Sequence, residues 1–291
     1  MTSVSKKKHI LFLTWKDIKH PHAGGAEKVM HIYASWLIDQ WYRVTWFASS
    51  FPWAKENEII DGIEIERKYT NHTIWIFAWL WYKNFKNQNN IDVIIDEAGG
   101  WPLLSPLYEK HIPIYFFAHH IWDREFDAFP FPIWQIAKWT YRFLFYFYKK
   151  IPTIVVSNST RDELITHFWY EEKNITVIEN TVDITPLESI DFSKKNHDIV
   201  FWGRLTPIKR PDHAILAFIE SKDKIPPDAR LHIIGNAQDQ KYVSTLKELV
   251  QKNNISDRVI FHGFIPTEVC KNILTQSFCL LVPSEKEWYW L

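Results

Sequence analysis

One loop of the chain carries two cations whose types and spacing suit a diphosphate. Arg204 and Lys209 lie in GRLTPIK, residues 203–209, directly after an apolar run that reads as a buried strand. A guanidinium fork and an ammonium near the next helix N-terminus can neutralise a phosphoanhydride without a metal. By spacing alone, a solvated basic loop is the commoner situation, so the surrounding sequence must decide between the two.

Two glycines, Gly24 and Gly25, open the stretch GGAE, where the first predicted strand, HILFLTW, leads into the first predicted helix. Glycine lets a backbone approach a ligand closely, and a helix N-terminus presents N–H groups to an anion. An ordinary tight turn explains two adjacent glycines about equally well. The pattern is not G-x-G-x-x-G and no acid closes the second strand, which argues against nicotinamide binding.

Two further candidate residues follow predicted strands. His119, in AHHIWD, ends a strand at the same sheet edge as GGAE, where its ring could donate to a sugar hydroxyl or a phosphate. A lone histidine in such a place is more often a satisfied core residue. Glu287, in the terminal PSEKEWYWL, could accept from sugar or ribose hydroxyls, although an isolated acid in a turn is usually only solvated.

The elements that position these residues alternate between apolar strands and amphipathic helices. This alternation predicts an α/β fold with doubly wound parallel sheets and a ligand crevice at the carboxyl ends of the strands. It stops in a polar stretch that begins with ITVIENTVD, and it begins again at DIVFWGRL. The sequence therefore predicts two Rossmann-like domains, residues 1–183 and 184–291, facing each other across a cleft.

Composition limits the classes of partner. The 34 basic and 34 acidic residues create no overall field that would attract nucleic acid. The two cysteines fit neither a zinc site nor a secreted disulfide framework, and no D-x-D pair or His/Cys cluster follows a strand. The N-terminal apolar run is shorter than a signal peptide or a spanning helix requires. We expect a cytoplasmic protein with no metal site.

Taken together, the order and spacing of these motifs resemble glycosyltransferase family 4, a group of retaining, nucleotide-sugar-dependent enzymes with the GT-B fold. The resemblance covers nearly the whole chain. It rests on GGAE, the strand end at His119, SNST at 157–160, ENTVD at 179–183, GRLTPIK, LHIIGNA, VIFHGF and VPSEKE. It implies transfer of a sugar from a UDP- or GDP-linked donor to a glycan or lipid-linked acceptor, with retention of configuration and without a cofactor.

The resemblance also implies a role for each matching residue. Arg204 and Lys209 would bind the donor diphosphate, Gly25 would lie near it, and His119 would contact the sugar. Glu287 would be the first glutamate of the family's E-x7-E motif, which makes His119 and Glu287 the candidate catalytic residues. The second glutamate would fall beyond the last residue of the sequence, so the resemblance predicts a second domain that is incomplete at its C-terminus.

Two other functions stay open at the level of sequence. A sugar-nucleotide epimerase of similar fold would isomerise the free donor without an acceptor. A non-catalytic nucleotide-sugar-binding fragment would bind the donor without turnover, and the missing second glutamate favours it.

An aromatic, basic stretch from Trp134 to Lys150 is predicted to be helical. It is compatible with a peripheral membrane contact that serves a lipid-linked acceptor. A core helix whose cations extend to solvent is the commoner explanation.

Tryptophan is over-represented and glycine is scarce. The chain has 16 Trp and 8 Gly, although about 20 glycines are usual for this length. Several tryptophans stand where a turn or a helix end favours glycine. We hypothesise that the source organism reads UGA as glycine and that the printed translation reads it as tryptophan. The six positions are Trp41, Trp53, Trp122, Trp169, Trp288 and Trp290, whereas Trp15, Trp46, Trp79 and Trp81 fit strand or helix patterns.

Overall fold

A computed structural model describes residues 7–122, 126, 129–180, 191–237 and 239–285. The chain divides into two compact units, with the division between residues 183 and 184. Each unit has its own sheet and its own hydrophobic core.

The first unit is built on one large sheet. Its strands are β1 (His9–Leu13), β2 (Arg43–Ala48), β3 (Asn57–Ile60), β4 (Ile63–Arg67), β5 (Val93–Ala98), β6 (Ile114–Ala118), β7 (Thr153–Val155) and β8 (Ile175–Val177). Their order is β3-β4-β2-β1-β5-β6-β7-β8. All neighbours pair in parallel except β3 and β4, which form an antiparallel hairpin at one edge.

Helices cover both faces of this sheet. They are α1 (Gly25–Asp39), α2 (Ile74–Gln88), α3 (Ser105–Tyr108), α4 (Ile133–Tyr146) and α5 (Asn158–Phe168). Successive strand residues point to opposite faces, so Phe12 of β1 packs with α1 while Leu11 packs with α2. Burial on both faces explains why β1 is an unbroken apolar run and not an alternating one.

A buried ion pair holds the loop that follows β1. Arg67, the last residue of β4, donates from Nε and Nη2 to the two carboxylate oxygens of Asp17 at 2.7 and 2.9 Å. Both side chains are excluded from solvent, with exposed fractions of 1% and 0%. Arg67 also donates to Glu58 Oε2 at 2.9 Å. This pair anchors the chain between β1 and α1, and therefore the approach to Gly24.

The second unit repeats the alternation on a smaller scale. Its strands are β9 (Ile199–Trp202), β10 (Leu231–Ile234), β11 (Val259–Gly263) and β12 (Cys279–Leu281), and its helices are α6 (Pro211–Ser221), α7 (Gln240–Lys252) and α8 (Thr267–Gln276). The sheet order is β11-β10-β9-β12 and every described pairing is parallel.

The fold class predicted from the sequence is confirmed: both units are α/β and Rossmann-like, with parallel sheets. Two local details differ from what the sequence predicts. The polar alternation of IDGIEIERKY predicts one strand, and β4 lies within it, but the sequence did not predict β3, from which Asp61 and Gly62 turn the chain with positive φ. The alternation of strands and helices was predicted to stop at ITVIENTVD. The first three residues of that stretch nevertheless form β8, which pairs with β7. Among the described residues, no helix is long and apolar enough to cross a membrane.

Candidate functional site

In the first unit, GGAE begins α1 with a glutamate that caps its own helix. Gly24 is the N-cap residue, and its N–H donates to Glu27 Oε2 at 2.6 Å. Lys16 Nζ lies 2.9 Å from the other oxygen, Glu27 Oε1, and Glu27 is only 4% exposed. The acid of the motif thus fixes the turn and neutralises Lys16. A Cβ on Gly24 would meet nothing closer than Glu27 Oε2 at 3.7 Å, so the described protein atoms leave room beside it.

Next to this turn, two buried polar atoms have no hydrogen-bond partner in the described structure. They are Glu97 Oε1, near the end of β5, and Trp15 Nε1, in the loop after β1. Both lie near Gly99: a Cβ placed there would be 2.6 Å from Glu97 Oε1 and 3.3 Å from Trp15 Nε1. Burial, reinforced by the charge of Glu27, raises the pKa of Glu97 well above its ordinary value. A carboxyl group and an indole N–H can together bind a hydroxyl group.

His119 lies where the sequence predicted, directly after β6. It is 4% exposed, its ring packs on Phe117 with centroids 4.4 Å apart, and its Nε2 has no partner. Burial lowers the pKa of His119 to about 3, so the imidazole stays neutral near pH 7. The structure therefore places His119 after β6, and Gly24 and Gly25 after β1 of the same sheet. Glu97 and Trp15 were not predicted from the sequence.

Two aspartates, Asp96 in β5 and Asp92 directly before it, accept hydrogen bonds from backbone N–H groups. Asp96 is fully buried and accepts from the backbone N–H groups of Leu103 and Ser105 at 3.3 and 3.0 Å. Asp92 accepts from the N–H of His9 at 2.7 Å. Within the described ranges, no group of three or more His, Cys, Asp or Glu side chains is arranged to hold a metal ion.

In the second unit, GRLTPIK forms a loop from β9 to α6 whose backbone is held by the neighbouring strand. Gly203 N–H donates to Ile234 O at 3.0 Å and Leu205 N–H donates to Asn236 O at 2.9 Å. The loop passes so close to Gly235 that a Cβ there would lie 1.8 Å from Gly203 O. Glycine in LHIIGNA is therefore required by the close approach of two backbones.

The same loop carries three polar side chains within six residues, Arg204 to Lys209. Arg204 is exposed and Lys209 is half-buried at the end of a short 3-10 helix, Pro207–Lys209. Between them, Thr206 Oγ1 is buried with no described partner. Two cations and an unsatisfied hydroxyl suit an anion with several oxygens.

Arg210 has a role that the sequence reading missed. It adopts a left-handed conformation as the N-cap of α6, and its Nη1 donates to Glu285 Oε1 at 2.6 Å while Nη2 donates to Asp212 Oδ2 at 2.9 Å. The N–H of Glu285 donates to Ile208 O at 3.0 Å. These bonds tie VPSEKE to the GRLTPIK loop. The predicted Glu287, two residues further along, lies outside the described residues, as do Trp288 and Trp290.

Three of the six tryptophans at positions where glycine is expected adopt the left-handed conformation that favours glycine. Trp41, Trp53 and Trp169 have φ of 70°, 60° and 59°. Trp122 does not have a positive φ, so the backbone argument for glycine was wrong at that position; its ring instead packs against Gly100. Trp46, by contrast, is completely buried in β2, as expected of an authentic tryptophan.

Sequence comparison assigns both units. Residues 23–185 match the sequence family Glycosyltransferase Family 4, and residues 187–289 match the family Glycosyl transferases group 1. A search of curated protein sequences found no match.

Several solved structures are similar to this chain in fold. The chain is similar to sucrose-phosphate synthase from Thermosynechococcus elongatus, with a TM-score of 0.77 and 15% identity, over 98% of this chain and 77% of that one. A glycosyltransferase from Rickettsia africae gives a TM-score of 0.68 at 17% identity, over 96% and 73% of the two chains. The Anabaena protein HepE in complex with UDP gives 0.67 at 18% identity, over 97% and 75%.

The parallel Rossmann-like units and the family match define a glycosyltransferase of the GT-B fold class. The chain belongs to Glycosyltransferase Family 4.

Proposed function

We propose that the protein transfers a sugar from a UDP- or GDP-linked donor to a glycan or lipid-linked acceptor, with retention of configuration. The observation that carries this proposal is the GRLTPIK loop: Arg204 and Lys209 flank the unsatisfied hydroxyl of Thr206 on a backbone that neighbouring strands hold in place. Support for the donor class comes from the structurally similar HepE, which was solved in complex with UDP.

The loop chemistry matches the leaving group of such a reaction. When the bond between the sugar and the diphosphate breaks, negative charge increases on the phosphate oxygens. Fixed cations and a hydroxyl donor stabilise the transition state, in which this charge develops, more strongly than they stabilise the ground state. That difference is the requirement for catalysis. In this proposal Arg204 and Lys209 bind the diphosphate, and Glu287 also binds the donor.

The first unit takes the acceptor side in this proposal. Neutral His119 offers one ring nitrogen as an acceptor or donor, and Trp15 and Glu97 offer a donor and a carboxyl within one buried patch. Such hydrogen-bonding groups suit sugar hydroxyls, which need donors and acceptors. Gly24 and Gly25 leave the start of α1 open to a ligand.

Arg204→Ala is expected to weaken nucleoside diphosphate binding by about tenfold or more, because one charge-assisted hydrogen bond contributes roughly 1.5–3 kcal/mol. Titration calorimetry with UDP and with GDP measures it. Arg230→Ala is the matched control, since Arg230 is also exposed but precedes β10, at the opposite end of the strands. Equal affinities in wild type and Arg204→Ala would remove the loop from the donor site.

Product analysis separates this proposal from its alternatives. Incubation with nucleotide sugars and a panel of acceptors should give a glycosylated product with the donor's anomeric configuration. Isomerised donor without an acceptor would instead indicate an epimerase. Donor binding with no product would indicate a binding protein.

Transfer is expected to proceed without a divalent metal, because cationic side chains already face the diphosphate in the proposed site. Excess EDTA should leave the initial rate unchanged within about twofold. Loss of activity with EDTA, restored by manganese or magnesium, would contradict a diphosphate site built only from Arg204, Lys209 and Thr206.

A further inference from the structure

Helix α4 is apolar on two opposite faces, and only one of them is covered. Tyr141 and Phe145 are fully buried in the core of the first unit. The other side carries a stripe at spacings of three, seven and ten residues, which places its members along one side of a helix. We call this stripe the aromatic face; it consists of Ile136, Trp139, Phe143 and Tyr146, with exposed fractions of 62%, 70%, 47% and 47%.

The aromatic face is an ordered surface. The rings of Trp139 and Phe143 stack in parallel, with centroids 5.6 Å apart and an interplanar angle of 3°. A shallow groove runs beside them, lined also by Trp134, Lys138 and Arg142. Exposed apolar side chains that are contiguous, aromatic and bordered by polar groups mark an interaction site more often than scattered ones do.

The charged residues of α4 and of the chain directly flanking it have one sign. From residue 129 to residue 152 the chain has no acidic residue, while its basic residues are Lys138, Arg142, Lys149 and Lys150. Lys149 Nζ lies 3.7 Å from the ring centroid of Tyr146, at the edge of the stripe, and Lys150 is exposed one residue further on. An aromatic stripe bordered by cations complements a surface that is apolar below and anionic above.

This combination distinguishes between two occupants. In a symmetric dimer the same patch meets itself, so the cations of one copy would face the identical cations of the other. An anionic lipid surface has no such conflict, because its phosphates pair with the cations while Trp and Tyr rings lie at the headgroup level. With 14 residues, α4 is too short to cross a bilayer.

We propose that the aromatic face of α4 binds the surface of an anionic lipid bilayer, with Trp139 and Phe143 entering the headgroup region and the flanking cations contacting lipid phosphates. The helix lies along the surface and does not span it. This surface belongs to the first unit. Its binding to a bilayer would locate the transfer reaction at a membrane surface, whatever the donor sugar is.

Vesicle flotation tests the proposal on the whole chain. Two kinds of vesicle are compared, one of phosphatidylcholine alone and one that also contains phosphatidylglycerol. Wild type should bind the anionic vesicles preferentially, and less as salt increases. Trp139→Ser/Phe143→Ser and Lys149→Glu/Lys150→Glu should each weaken that binding by about tenfold or more.

Trp79→Ser is the matched control, since Trp79 is a 47% exposed tryptophan on another helix of the same unit, and it should bind as wild type does. Circular dichroism confirms that each variant is folded. Absence of wild-type binding, equal binding to both vesicle types, or full binding by both double variants would overturn the proposal. So would a wild-type dimer in sedimentation that Trp139→Ser/Phe143→Ser disrupts while vesicle binding is absent, which would assign the face to a second copy.

Discussion

Arg67→Met is expected to lower the free energy of unfolding of the first unit by about 3–5 kcal/mol, because it leaves the buried carboxylate of Asp17 without its cation. Arg67 supplies two of the hydrogen bonds to that carboxylate, and both side chains are almost completely excluded from water. Denaturant unfolding monitored by circular dichroism measures the loss. The loop between β1 and α1 should become the most accessible site to proteases.

Two further variants separate burial from charge pairing. Arg43→Met removes an equally well-formed pair with Glu64, but those side chains are 41% and 38% exposed, so a cost below about 1 kcal/mol is expected. Asp17→Leu/Arg67→Met replaces the buried pair with apolar groups and should recover much of the stability. Similar losses in Arg67→Met and Arg43→Met would show that burial of the Asp17 carboxylate is not the cause.

Replacing Trp41, Trp53 and Trp169 together by glycine is expected to stabilise the first unit by about 2 kcal/mol. A left-handed conformation costs a residue with a Cβ roughly 1–2 kcal/mol, and the extra flexibility of glycine in the unfolded chain offsets about 0.5–1 kcal/mol of the gain. The three side chains are 64%, 88% and 63% exposed, so their removal opens no core cavity. The melting temperature should rise by about 2–4 °C per kcal/mol.

The three positions have different local reasons to prefer glycine. Trp53 follows Pro52 in a turn closed by a 3.0 Å bond from Ala54 N–H to Phe51 O, where a positive φ at the third residue normally requires glycine. Trp41 and Trp169 follow the ends of α1 and α5. The smallest gain is expected at Trp41, because Lys7 Nζ lies 3.8 Å from its ring centroid and that contact would be lost.

Trp79→Gly serves as the opposite control, since Trp79 is exposed on α2 with helical backbone, and it should destabilise by about 1 kcal/mol. A triple variant no more stable than wild type would refute the strain argument. The codon hypothesis has its own test in the gene: UGA at the three positions and UGG at Trp46 would support it, while UGG at all of them would exclude it.

The sequence predicted what depends on periodicity and local motifs. Apolar runs such as HILFLTW became buried strands, and the GRLTPIK loop lies between β9 and α6 as expected. The adjacency of Glu97 and Trp15 was not predictable in the same way. It depends on the parallel pairing of β1 with β5, which brings together residues that are more than eighty positions apart.

Side-chain roles were harder to predict than positions. Glu27 belongs to a motif that suggested ligand binding, but it satisfies the N–H of Gly24 and the charge of Lys16. Arg210 reads as one more cation beside Lys209, yet it pairs with Glu285, which is 75 residues away. No local pattern distinguishes a cation that binds an anion from one that binds a carboxylate of the same chain, because the distinction depends on which segment folds beside it.

Backbone hydrogen bonds fix the conformation of the GRLTPIK loop independently of the side chains that would bind a ligand. Gly203 and Leu205 are held through their main-chain N–H groups, and Gly235 leaves the space in which the loop runs. None of these interactions involves the side chain of Arg204. Exchanging that side chain therefore alters what the loop attracts while its path through the protein stays the same, which makes the loop a site where ligand preference can be redesigned one residue at a time.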